Sequence, residues 1–294
     1  MLHELLVAPF AFAFMRRALA GCLALSVAGP PLGVFLVVRR MSLMSDVLQH
    51  GVLPGLALGA LLAGFSLPAM GLGGFLAGLA VALLAGWLGR RPGARPDSQL
   101  AAVYLLALAL GVALVSGGSG LDLTHLLFGS VLAVDDAALL LMAGVSTAAL
   151  LGLAVIWRML VVDSFDPEAL GPAGEGWRAA FLALVVLCVV GGFAALGTLM
   201  SVGLMMLPAV TARHWAQRLP GQAVMAALIA CLASTAGLLL AYHLDLPAGP
   251  AIVLTAGAIW LASLLAGPQA SMISGVVARR KSASGRVAAG QRAR

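Results

Sequence analysis

Few residues in this chain are able to do chemistry, and two of them stand together. Asp46 and His50 lie in the segment Arg39-Arg40-Met41-Ser42-Leu43-Met44-Ser45-Asp46-Val47-Leu48-Gln49-His50-Gly51-Val52-Leu53-Pro54-Gly55. Their i, i+4 spacing puts both on one face of a helix. An acid and an imidazole in an apolar run are costly in hydrocarbon, so they need a polar neighbour, a water-filled path or a cation. Imidazole plus carboxylate suits zinc and also manganese, and the lack of a nearby thiolate argues against copper(I). The competing reading is a His–Asp pair whose members satisfy one another inside a packed bundle.

The other candidates are scattered. His243 and Asp245 close an apolar run in Tyr242-His243-Leu244-Asp245-Leu246-Pro247. Asp122 and His125 follow the flexible run Ser116-Gly117-Gly118-Ser119-Gly120 and are read as interfacial residues on a short helix over 122–133. His214, between Arg213 and Trp215, has the company of a structural residue at a membrane interface. Asp163, Asp166, Glu168 and Glu175 are gathered in 158–178. There Ser164 or Asp166 can cap a short helix with Pro167 in its first turn and Gly171 or Gly174 at its end. Such a helix, within 163–175, is a docking element for a cytosolic partner. Cys22, Cys188 and Cys231 lie singly in apolar runs and read as core residues. No phosphate-binding G-x-x-x-x-G-K-[ST] run, H-E-x-x-H motif or nucleophile elbow occurs, so the chain carries no hydrolytic machinery of its own.

Membrane helices must position these groups. Of 294 residues, 62% are hydrophobic and 10% charged, with mean hydropathy +1.07, whereas a soluble domain has about 25% charged residues. The expected fold is all-α and polytopic, with eight or nine transmembrane helices: 17–38, 46–66, 69–88, 99–116, 136–157, 179–196, 198–211, 222–242 and 249–267, the seventh being short. With the N-terminus outside and nine spans, every Lys and Arg except Arg16 and Arg17 falls on the inner side. The net charge of +6 lies at span ends and in the tail, without a basic face carrying stacking aromatics, and this excludes nucleic acid as a partner. Gly51, Gly55, Gly59 and Ala63 form a row of small residues that lets another helix approach closely. The division expected is an interfacial segment over 1–16, a transmembrane domain over 17–268 and a basic, disordered cytosolic tail over 269–294 that touches anionic lipid.

The order of these features resembles the permease subunits of bacterial zinc/manganese ABC importers, relatives of the vitamin B12 and iron-siderophore permeases. The likeness runs from about Phe14 to Pro268 and rests on Arg17-Ala18-Leu19, Gly33-Val34-Phe35-Leu36-Val37-Val38-Arg39-Arg40-Met41-Ser42-Leu43-Met44 and the Asp46 to Gly55 run. Further support comes from Leu126-Leu127-Phe128-Gly129-Ser130, Phe165-Asp166-Pro167-Glu168-Ala169, Leu207-Pro208-Ala209-Val210-Thr211-Ala212-Arg213 and Leu244 to Leu254. Gln49 and Ser45 replace a usual Ser and Gly, and Gly171-Pro172 is an addition to the coupling loop. The resemblance implies a homodimer in the bacterial cytoplasmic membrane that takes a divalent metal from an extracytoplasmic binding protein and is driven by cytosolic ATPase subunits. It also implies that Phe165, Asp166, Pro167, Glu168 and Ala169 form the coupling element to the ATPase.

The expected metal ligands are Asp46 and His50 first, then His243 and Asp245, for a transported zinc or manganese ion, with zinc slightly favoured and no permanently bound cofactor. Counted along a helix, His50 lies about 15 Å from Arg40, near the middle of a core about 30 Å thick. His243 falls near the outer face. A single four-ligand site therefore needs a broken or re-entrant helix, and the alternative is two stations passed in turn. A proton-coupled secondary transporter and a non-transporting membrane scaffold are the other classes compatible with the residues.

Overall fold

The structure, a computed structural model, describes residues 8–64, 66, 67–88, 96–116, 134–166, 168–171 and 174–269. Asp122, His125, the Leu126 to Ser130 motif, the basic connector 89–95, Pro167 and the tail from 270 lie outside the described residues.

Among the described residues a 3₁₀ turn at Ala8–Ala11 leads into ten helices: α1 (Ala13–Val38), α2 (Ser42–Gly51), α3 (Leu53–Ala63), α4 (Leu67–Leu88), α5 (Pro96–Ser116), α6 (Asp136–Phe165), α7 (Gly174–Leu196), α8 (Thr198–Ala212), α9 (Leu219–Leu244) and α10 (Ala248–Ala266). The first span thus begins at Ala13 and absorbs part of the segment expected to lie at the interface. Taken together, α2 and α3 make one membrane-length segment, Ser42–Ala63, so ten helices give nine apolar segments, two of which are short.

Helix α1 is the axis of the fold. It packs on α9, α6 and α8, and it is buried from Ala28 through Val37. It contains Pro30 and Pro31, which cannot donate to the carbonyls of Ser26 and Val27. At this weakened turn the Ser26 and Ser234 hydroxyls meet at 3.0 Å, joining α1 to α9. Interior packing lets the helix tolerate what would break an isolated one.

Two breaks in the helices set the geometry. Pro54 near the start of α3 cannot donate to the His50 carbonyl, and α2 gives way to α3 at Val52. At Gly197 the backbone takes φ 85°, a region that favours glycine, and α8 folds back on α7. The Ser201 hydroxyl then donates to the Val189 carbonyl at 3.2 Å. The reversal leaves α8 only 15 residues, about 22 Å at helical rise.

The small-residue row faces α4. A Cβ on Gly51 would meet Val81, one on Gly55 would meet the Gly73 carbonyl and Ala77, and one on Gly59 would meet the Ala69 carbonyl and Met70. On its other side α3 lies against α5, where a Cβ on Gly111 would come 2.8 Å from Leu53 Cβ. The helix pair that carries Asp46 and His50 is therefore held from two sides.

Candidate functional site

His50 ends the last turn of α2, immediately before the break at Val52. It is partly buried, and its ring stands edge-on to Tyr104 of α5 with centroids 4.9 Å apart. The Nδ1 atom is buried and has no hydrogen-bond partner among the described residues. Asp46, one turn earlier, is exposed. The hydrogen-bonded His–Asp pair of the competing reading does not form among the described residues: Asp46 is exposed, and His50 Nδ1 has no partner. An unpaired buried nitrogen costs free energy unless something occupies it, so the geometry leaves imidazole and carboxylate free to coordinate a cation. Tyr104, one of two tyrosines in the chain, was not foreseen as part of this group; its signal was a phenol within a span that is otherwise aliphatic.

His243 and Asp245 are elsewhere. Helix α9 packs chiefly on α1 and α10, whereas α2 packs chiefly on α5 and α4. The His243 ring stands edge-on to Tyr242 at 5.4 Å. Asp245 caps α9 in the left-handed region at φ 51°. Both are exposed, and Asp245 lines an open recess of about 620 Å³ with Phe14, Met15, Tyr242, Leu246 and Pro247. Among the described residues no three His, Cys, Asp or Glu side chains converge. The four expected ligands are thus one pair on α2 and another at the end of α9.

The expected short helix of the coupling segment falls partly outside the described residues, which lack Pro167, Pro172 and Ala173. Helix α6 continues to Phe165, Glu168–Leu170 form a turn, and α7 starts at Gly174. Asp166 is used to start the turn: its Oδ1 accepts from the Ala169 N–H at 3.2 Å. Phe165 is 71% exposed, and Asp166, Glu168 and Ala169 are exposed with it. A bare aromatic beside two acids on a short turn is a surface suited to a protein partner.

Beneath this turn lies a group that sequence reading did not assemble. Asp163 is 5% exposed. Its Oδ2 pairs with Arg39 Nη2 at 2.8 Å, and its Oδ1 pairs with Arg178 Nη2 at 2.7 Å and accepts from Arg178 Nε at 2.8 Å. Arg39 Nε also donates to Ser164 Oγ at 3.1 Å, Nη2 to the Leu160 carbonyl at 3.3 Å, and the guanidinium lies 5.0 Å over the Phe181 ring. Burial lowers the Arg39 pKa from its ordinary value, and the Asp163 charge opposes that shift. Read one residue at a time, Arg39 marks an inner boundary and Asp163 is one loop acid among several. Helix α6 runs on past the expected loop boundary far enough to bring the acid to both arginines.

Residues 11–267 match the ABC 3 transport family. The chain belongs to the ABC 3 transport family. Its relatives include the manganese import system permease protein ScaB of Streptococcus gordonii, 30% identical over 92% of this chain and 97% of that protein. The manganese transport system membrane protein MntC of Halalkalibacterium halodurans is 27% identical over 90% of each. Among solved structures, PsaBC from Streptococcus pneumoniae in complex with Fab superposes with a TM-score of 0.81 at 29% identity, covering 92% of this chain and 98% of that one. This ABC 3 family member is a multi-pass permease of the cytoplasmic membrane, and ATP hydrolysis belongs to a separate subunit.

Proposed function

We propose that this permease imports a divalent transition metal, with manganese as the first candidate and zinc as the second. The observation that carries the reading is the open, buried Nδ1 of His50 beside the outward-turned Asp46, at a break in a membrane-length segment. The names of the relatives favour manganese, whereas the imidazole favours zinc. A transit site must release its ion, and two ligands from one chain make the incomplete shell that release requires. His243 and Asp245 form the outer station, from which the ion passes inward to His50.

The same reading supplies the partners. A cytosolic ATPase docks on the exposed turn around Phe165, Asp166, Pro167, Glu168 and Ala169; an extracytoplasmic metal-binding protein delivers the ion to the outer recess; a second copy of the chain completes a homodimer in the lipid. The test is uptake of radiolabelled manganese, with zinc in parallel, by cells lacking the gene. The wild-type gene restores uptake, and His50→Ala does not, although it reaches the membrane at normal levels. Full rescue by His50→Ala would remove the proposed role. Uptake that survives deletion of the ATPase partner would favour the proton-coupled alternative.

A further inference from the structure

We propose that Arg39, Asp163 and Arg178 are positioning residues that transmit movement of the 166–171 turn to the α1–α2 corner and thereby to Asp46 and His50. The proposal rests on the importer reading above, in which an ATPase engages that turn.

The argument begins with where the three residues sit. Asp163 is in the last turn of α6 and Arg178 in the second turn of α7, so their pairing ties together the two helices that enter and leave the turn. Arg39 immediately follows α1, and only Arg40 and Met41 separate it from α2. Arg40 is in the left-handed region at φ 57°, so the corner is sharp and has little slack. From Ser42 the chain runs as unbroken helix to His50. A rigid element therefore connects the corner directly to the candidate ligands.

The contacts at Arg39 come from both flanking helices. Asp163, Ser164 and the Leu160 carbonyl belong to α6, and the Phe181 ring belongs to α7. Phe181 is buried, as is Phe35 on the last turns of α1, and the two rings meet edge to face at 6.2 Å. Each carboxylate oxygen of Asp163 is engaged by a different guanidinium. Displacing the turn while leaving the corner in place would break charged contacts to a buried acid. A planar fork and a two-oxygen carboxylate hold direction as well as distance, which apolar packing does not. Apolar residues of similar volume would hold two helices together about as well, so directional linkage is what the charges add.

The experiment uses the complete complex of permease, ATPase and binding protein in proteoliposomes, with manganese as the probe. It reads metal delivered per ATP hydrolysed for wild type, Asp163→Asn and Arg178→Gln. The expected result is an assembled complex that still hydrolyses ATP, with metal delivered per ATP lowered about tenfold, within the usual range of coupling between distant sites. A purely structural role would lower uptake and hydrolysis in parallel and leave the ratio unchanged, and that result overturns the proposal. Arg178 is the more exposed partner, its side chain 28% accessible, so Arg178→Gln serves if Asp163→Asn does not assemble. Failure of both variants to assemble would assign the cluster to folding alone and also overturn the proposal. A wild-type complex without ATP-dependent uptake would instead refute the importer reading.

Discussion

Substituting Gly55 by Ala sets two effects of known sign against each other. Helix propensity favours the change by about 1 kcal/mol. Packing opposes it, because the new Cβ would strike the Gly73 carbonyl and come 2.6 Å from Ala77 Cβ. Gly73 presents backbone, which cannot rotate aside, and a Cβ at Gly73 would strike the Gly55 carbonyl in return. Overpacking of this kind costs about 1–3 kcal/mol, and an obstacle made of backbone puts Gly55 at the upper end. The net expectation is a loss of about 1–2 kcal/mol, or a fall of about 2–6 °C in Tm for a chain of this size. The buried thiols of Cys22 and Cys188 supply the assay: a thiol-reactive fluorophore reports their exposure as the detergent-purified permease is heated. Gly144→Ala is the control, since nothing lies within 4 Å of its Cβ position; there propensity acts alone and Tm holds or rises. A Gly55→Ala variant as stable as wild type would refute the close α3–α4 contact.

Other substitutions separate charge from backbone. Asp245→Gly preserves the left-handed end of α9 at φ 51°, so Tm is maintained while manganese uptake falls if the carboxylate serves the outer station; unchanged uptake would confine Asp245 to ending the helix. Asp245→Val forces a branched residue into that region and lowers Tm by the equivalent of about 1–2 kcal/mol. Asp135→Ala removes the cap of α6, where the side chain accepts from the Ala138 N–H at 2.8 Å, and costs about 1 kcal/mol in thermal unfolding. Asp136→Asn, which breaks the exposed pair with Arg17, changes stability by less than about 1 kcal/mol.

The nine apolar segments were legible because a backbone in hydrocarbon must satisfy its own hydrogen bonds, and so apolar length alone marks a helix. The break at Gly197 was legible, since it falls between the expected spans 179–196 and 198–211, whereas the one at Val52 lies inside the expected span 46–66 and was not. The i, i+4 relation of Asp46 to His50 was also readable, being a property of one helix. The cap at Asp166 was legible as well, its Oδ1 accepting from the Ala169 N–H three residues on. The cluster of Asp163 with Arg39 and Arg178 was not legible, because its three members are brought together only by the packing of separate helices.

What sequence alone determined, then, is local or compositional: an all-helical membrane chain, the approximate course of its apolar segments, and the residue types able to meet a divalent ion. Tertiary structure decided which partners each group finds. It turned Asp46 outward, set Tyr104 against His50 and left the Nδ1 of that histidine open. It separated the α2 pair from the α9 pair. It also joined Arg39 to an acid 124 positions away along the chain. Periodicity reports which face of a helix a residue occupies, but the neighbour on that face depends on how several helices pack at once, and no single stretch of sequence encodes that arrangement.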